Sequence, residues 1–223
     1  MQHQYQNARN GIIEIRFPEN GQLRSRKVVK RSNARNTGKY PSHKMQRMMQ
    51  WESEHEANAM RLLDADPKVI SFQEQPCEIL YQLDGIRHRH YPDLLEINQH
   101  SRTLIEVKST IDANAPDTAK RTAFLQKALP SFGYQYRLML AEDVGAQPRL
   151  DNIKRILKMR CMQLSIFDRE NLRVSFLQQP TQLWGAFEYT QLTHICHLIV
   201  QGMLLIDMTK PIDNKTLIHS NFS

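Results

Sequence analysis

Asp93 follows a proline, and thirteen positions later Glu106-Val107-Lys108 closes a run of otherwise apolar residues. Two carboxylates and an ammonium at the ends of strand-like runs suit one kind of chemistry. Carboxylates hold a divalent cation, and the cation polarises a phosphate and lowers the pKa of an attacking water. A lysine beside that water, or beside the charge that develops on phosphate, stabilises the transition state. A third acid comes from "WESEHEANAM", Trp51–Met60. At 100° per residue from Met45, Glu52 and Glu56 fall on the stripe of Met48, Met49, Ala59, Met60 and Leu63, whereas Glu54 points the other way. An unpaired buried carboxylate is costly. Glu56, with Ala59, Met60 and Leu63 on its next turns, is the preferred inward acid, and Glu52 is its candidate neighbour.

The elements that must position these groups are read from period and punctuation. A helix is expected over Met45–Asp64, stopped by Pro67. Strand-like runs follow in "VISFQEQ", "EILYQL", "GIRHRHYPDLLEI" and "TLIEVKS", with turns at Asp84-Gly85 and at "NQHS". A turn centred between Gln99 and His100 sets Asp93 opposite Glu106, and alternation puts Lys108 on the face of Glu106. Opposed carboxylates repel, so a half-buried pair calls for a cation, from Lys108 in part and from a metal in greater part. A helix near Thr118–Leu129 and a strand at "YQYRLML" complete an α/β unit. "AEDVGAQP" is the expected boundary. Beyond it, "RLDNIKRILKMR" and "EYTQLTHICHLIVQG" read as helices, the second ended by Gly202, and "MLLIDM" and "KTLIH" flank a turn.

Charge is unevenly spread. Residues 1–50 carry eleven Lys/Arg against two Glu, whereas the rest of the chain, with 19 Lys/Arg and 21 Asp/Glu, is slightly acidic. Such a basic arm suits duplex backbone contact, with Arg24, Arg26, Lys27, Lys30, Arg31, Arg35, Lys39 and Lys44 as its candidate DNA-binding residues. No apolar run is long enough to span a membrane. The opening residues lack a secretory signal, and three cysteines without C-x-x-C spacing fit free thiols, so a cytoplasmic location is expected. His88 and His90 share a strand face between Arg87 and Arg89, which reads as a surface or DNA-proximal feature rather than a zinc site. "HICH", His194–His197, lacks a fourth ligand, with Cys196 reading as packing and the two histidines as partly exposed. The methionines at 45, 48, 49 and 60 read as core filler. No phosphate-cradling G-x-x-x-x-G-K-[ST] occurs, so any ATP dependence belongs to a partner.

Over residues 39–109, "GKYPSHKMQRMMQWESEHEANAMRLLDADPKVISFQEQP…GIRHRHYPDLLEI…LIEVKS" resembles the TnsA endonuclease subunits of heteromeric cut-and-paste transposases. The shared pattern is an E-S-x-x-E helix, a D-P-x-V turn, an "EQP" segment and Pro-Asp before a Glu/Gln-x-Lys strand. Leu94 stands where phenylalanine is usual and Ser109 where proline is common. The resemblance implies an α/β fold with a restriction-endonuclease-like PD-(D/E)xK core at 39–145, a basic N-terminal arm at 1–38, and a winged-helix-like C-terminal domain at 146–223. It implies catalytic Glu56, Asp93, Glu106 and Lys108. The implied ligands for Mg²⁺, with Mn²⁺ as substitute, are Asp93, Glu106, Glu56 and the Val107 carbonyl. It further implies a bacterial cytoplasmic protein that cuts DNA at the 5′ ends of a transposon, beside a TnsB-like DDE transposase and a TnsC-like ATP-dependent regulator. Between Met162 and Thr209 the only Lys/Arg are Arg169 and Arg173. The C-terminal domain is therefore expected to bind protein, the regulator or the transposase, rather than DNA. The alternatives are a stand-alone restriction or repair nuclease and an inactive DNA-binding assembly factor.

Overall fold

The computed structural model describes residues 10–19, 22–25 and 37–222, which divide into two units. The first comprises the described residues up to 60 together with 69–144, and the second residues 61–68 and 145–222. No helix among the described residues is long and apolar enough to cross a membrane.

In the first unit the chain forms β1 (Ile12–Arg16), β2 (Gly38–Ser42), β3 (Arg47–Trp51) and α1 (Glu54–Ala65), whose last residues group with the second unit. There follow β4 (Val69–Glu74), β5 (Glu78–Leu83), β6 (Ile86–His90), β7 (Leu94–Asn98) and β8 (Arg102–Lys108). The unit ends with α2 (Thr110–Ala113), α3 (Pro116–Ala128), β9 (Gln135–Leu140) and α4 (Ala141–Val144). The central sheet runs β4-β7-β8-β9; a second sheet runs β1-β5-β6, and β2-β3 is a separate hairpin. Among the described strands only β8 and β9 pair in parallel, because α2 and α3 supply the crossover that a parallel connection needs. Strand β8, flanked on both sides, is buried from Thr103 to Val107, which is why it reads as a nearly continuous apolar run.

Register follows the expected turns. Asp84 and Gly85 both take positive φ (53° and 79°), the backbone that a two-residue hairpin loop requires, and Leu83 pairs with Ile86 across it. Leu94 faces Ile105 and Leu95 faces Leu104, so the turn is centred between Gln99 and His100. The two larger sheets and α3 share one core, built from Ile12, Ile15, Ile79, Leu95, Leu104, Leu125 and Tyr136 among others. At roughly 1.5–3 kcal/mol for each large apolar side chain buried, this cluster is the main stabiliser of the unit.

The helix expectation needs correction. Residues 45–53 are not helical: Arg47–Trp51 pairs with Gly38–Ser42. Met49 is fully buried while Met48 is 48% exposed, the alternation of a strand. The helix begins where Ser53 accepts a hydrogen bond from the Glu56 backbone N–H (3.2 Å). That Ser-x-x-Glu spacing is a helix-start signal, and it outweighs a methionine spacing compatible with either period. Within the expected N-terminal arm, "GIIEIRF", which also reads as a candidate short strand, does form one, and the arm is tied to the first unit. Ile12–Arg16 pairs antiparallel with β5, and Ser25 donates from both its backbone N–H and Oγ to the Gln75 carbonyl (2.9 Å each).

The second unit contains α5 (Arg149–Met159), α6 (Ile166–Gln178), β10 (Thr181–Leu183), α7 (Tyr189–Val200), β11 (Leu204–Ile206) and β12 (Leu217–Ser220). Its antiparallel sheet runs β10-β12-β11, and Trp184, Phe176, Ile195, Leu198 and Ile218 lie in its core. The sequence suggests two helices and a hairpin here. The structure adds α6, capped by Ser165 on the Asp168 backbone N–H (3.0 Å), and a third strand. Cys196 is buried, as expected, and Gly202 with φ 73° follows α7. Asn152 of α5 holds the β11–β12 connection, donating to the Lys210 carbonyl (2.7 Å) and accepting from the Ile212 N–H (3.1 Å).

Candidate active site

Glu56, Asp93, Glu106, Val107 and Lys108 meet in one cleft of about 520 Å³ in the first unit, together with Glu52, His55, Arg89, His90 and Tyr91. Each wall has a local cause. Pro92 lacks an N–H and separates β6 from β7, which leaves Asp93 just ahead of the ladder. There Asp93 Oδ2 accepts from the Val107 N–H (2.8 Å), crossing to β8 at the position after Glu106. The backbone of Asp93 is fixed from its other side, because the Gln75 N–H donates to the Asp93 carbonyl (2.9 Å).

The "EQP" segment therefore has a definite task. Glu74, 1% exposed, binds Arg47 through both oxygens (2.8 and 2.6 Å) and Arg24 through Oε1 (2.7 Å). Burial raises its pKa, but the hydrogen bonds from Arg47 and Arg24 outweigh that and leave it below the usual range. Gln75, buried and at φ 45°, then turns the chain toward Asp93. Arg24 is thus held on Glu74 rather than presented to solvent. Among the other candidate DNA contacts, Lys39 is exposed on β2 and Lys44 is half-buried in the β2–β3 turn. Arg26, Lys27, Lys30, Arg31 and Arg35 lie outside the described residues.

Glu56 is 8% exposed. Its carboxylate accepts from the Glu52 N–H (2.8 Å) and the Ser53 hydroxyl (3.3 Å), so the same group that caps α1 reaches the cleft. Glu52 also lines the cleft, but from the residues before α1 rather than from a helical turn.

The electrostatics of Asp93 and Glu106 differ. Asp93 is pushed up to about 8, first by burial and then by the charge of Glu56, with the Val107 N–H opposing. Among the described residues Asp93 makes no ion pair. Glu106, 5% exposed, is surrounded by donors. Lys108 Nζ and Arg121 Nη2 each lie 3.1 Å from Oε1. Tyr136 Oη (2.6 Å) and His90 Nε2 (3.1 Å) reach Oε2. Burial raises the Glu106 pKa, but hydrogen bonding and charge from His90, with Tyr136 and Arg121, drive it well below the carboxylate range. Tyr136 is pushed far up, by burial and by that same carboxylate.

Three members of this shell, His90, Arg121 and Tyr136, are absent from the sequence-based set. His90 is 7% exposed, not a surface residue, whereas His88 on the same face stacks on Tyr81 (5.1 Å). The alternation of β6 was readable, but its burial depends on β9 and α3, which lie 46 and 31 residues further on. Among the described residues, no group of three or more His, Cys, Asp or Glu is disposed as a ready cation cage.

No protein-family model matches the chain, and no curated protein matches it. Among solved structures, the protein VC1899 from Vibrio cholerae is similar over 46% of this chain, at 20% identity and a TM-score of 0.27. The matched region spans 31% of that protein.

Proposed function

We propose that this protein is a metal-dependent DNA endonuclease, the strand-cutting subunit of a heteromeric transposase. One observation carries the reading: the four residues singled out by chemical type, Glu56, Asp93, Glu106 and Lys108, line a single cleft. They come from a helix, an inter-strand bend and a central strand, so chain proximity alone does not bring them together. On this reading the first unit is a PD-(D/E)xK nuclease core. The second, with three helices and a three-stranded sheet, is a winged-helix-like module that docks a TnsC-like regulator or a TnsB-like transposase.

The donor set suits a hard divalent cation such as Mg²⁺ or Mn²⁺, which takes oxygen ligands. Asp93 is the central ligand, since its charge is resisted by burial and by Glu56 and a cation would relieve both. Glu56 and the Val107 carbonyl are the further ligands. When bound, the metal supplies Lewis-acid polarisation of the scissile phosphate and a lowered pKa for the attacking water. The chain's own residues do the rest. The Val107 and Gln75 N–H groups fix Asp93 at its side chain and backbone. Lys108, 34% exposed, presents its ammonium to the cleft, where it stabilises charge building on phosphate. Arg89 at the cleft margin is 60% exposed and gives a duplex backbone a phosphate contact.

The test is strand cleavage of transposon-end DNA by the chain with its DDE partner in Mg²⁺, in parallel with gel-shift assembly. The expected result is that wild type cuts at the 5′ ends and that Asp93→Ala assembles but does not cut. Assembly lost in a folded Asp93→Ala protein, or cutting retained, counts against the reading.

A further inference from the structure

The cleft holds its carboxylates in two different conditions, and the difference divides their labour. An ionised carboxylate offers about four lone-pair positions. In Glu106 both oxygens are taken: Arg121 donates to Oε1 (3.1 Å) and Tyr136 to Oε2 (2.6 Å), with the Lys108 ammonium 3.1 Å from Oε1 and His90 Nε2 3.1 Å from Oε2. The donors arrive from β8 itself, α3, β9 and β6, so no single rotamer change releases them. Arg121 Nε is buried and finds no partner among the described residues. The Glu106 contact is then what offsets the desolvation of that guanidinium. Asp93 stands differently, with the Val107 N–H on Oδ2 and no ion pair among the described residues.

We infer that Glu106 is a positioning residue for Lys108 rather than a metal ligand, and that Arg121 is the second positioning residue, acting through Glu106. The inference rests on the nuclease reading and departs from the ligand set expected of it. Lys108 and Arg121 share one oxygen of Glu106, with each Nζ or Nη at 3.1 Å. Arg121 thereby takes part of the negative charge that would otherwise draw Lys108 fully onto Glu106, and it leaves the ammonium facing the cleft. Tyr136 and His90 hold the other oxygen, which stops the carboxylate from rotating toward Asp93. Tyr136 Oη donates to Oε2 and also lies 3.0 Å from His90 Nε2, which ties the two residues together. Because buried polar networks of this kind polarise one another, loss of one member loosens the rest.

The experiment is calorimetric titration of Mn²⁺ alone into the full chain, as wild type, Asp93→Asn, Glu106→Gln and Arg121→Gln. The expected result is binding in wild type, no saturable binding in Asp93→Asn, and an affinity for Glu106→Gln within about threefold of wild type, less than one carboxylate ligand contributes. Glu106→Gln losing Mn²⁺ as completely as Asp93→Asn overturns the inference while leaving the metal site standing. Absence of binding in wild type removes the metal reading and this inference with it. If Glu106→Gln fails to fold by its circular-dichroism melt, Arg121→Gln decides, since it retains every carboxylate. Its expected signature is unchanged or tighter Mn²⁺ binding, a KM for end DNA near wild type and a kcat reduced about tenfold or more, recovered in part by Arg121→Lys. A wild-type kcat in Arg121→Gln overturns the inference.

Discussion

The clamp around Glu74 and the cleft around Asp93 meet at Gln75, yet they treat a buried carboxylate in opposite ways. Glu74 has two arginines and a backbone N–H, from Gln50 at 3.2 Å. Its charge is matched, and its work is to hold β3 and the Arg24 segment against β4. Asp93 has one backbone N–H and two carboxylates for neighbours, so it is kept ionised only at a cost. A matched carboxylate is structural, and an unmatched one is available for an exogenous cation. By this measure Glu106 belongs with Glu74, although it lies in the cleft with Asp93.

The comparison can be broken at either end. The largest expected effect is at the unmatched end, where Asp93→Asn lowers strand cleavage by on the order of 10³-fold, measured on end DNA with the partner transposase. Next, Glu74→Ala strands Arg47 and Arg24 beside a buried site and destabilises the protein by about 3–5 kcal/mol, read from urea melts. A Glu74→Ala protein as stable as wild type would remove the distinction between matched and unmatched groups.

A smaller effect sharpens it through pH. The Asp93 carboxyl is raised from its ordinary 3.8 to about 8, so the folded state holds a proton that the unfolded chain releases. Its stabilising contribution is present below about pH 4 and is lost as pH rises through about 8. Mn²⁺ must displace that proton, so apparent affinity rises by up to about tenfold per pH unit below 8 and levels above it. Calorimetry from pH 6 to 9 checks this, and a flat profile would contradict it. Smallest of all, Tyr136→Phe removes the hydrogen bond on Glu106 Oε2 and costs about 1–2 kcal/mol by thermal melt, with Mn²⁺ affinity unmoved.

Much of the candidate site was legible in the chain because it rests on local rules. The Asn98–Ser101 turn set the register that places Asp93 near Glu106, and strand alternation set Lys108 beside Glu106. Glu56 was turned inward by a helix phased too early, and it does line the cleft. The helix starts at Glu54, yet Glu56, Ala59, Met60 and Leu63 keep the same mutual angles wherever the helix begins. What stayed hidden depends on long-range pairing. Arg24 reads as a free cation until β4 brings Glu74 to it across 50 residues. His90 reads as a surface histidine until β9 and α3 close over β6 with Tyr136 and Arg121. Helix α6 escaped because Ile166, Phe167, Val174 and Leu177 are exposed on it, so its apolar residues do not trace a single buried stripe.

The most direct measurement of the central claim is the melting temperature of wild type and Asp93→Asn at pH 8, without and with saturating Mn²⁺. Without metal, Asp93→Asn is expected to melt above wild type, by about 2–4 °C for each kcal/mol of repulsion removed. Mn²⁺ at about 100 times its dissociation constant stabilises wild type by about 2.7 kcal/mol and leaves the variant unmoved, which narrows the gap between them. Equal shifts in both proteins, or none in either, would contradict the claim that Asp93 is the unmatched carboxylate of a metal site.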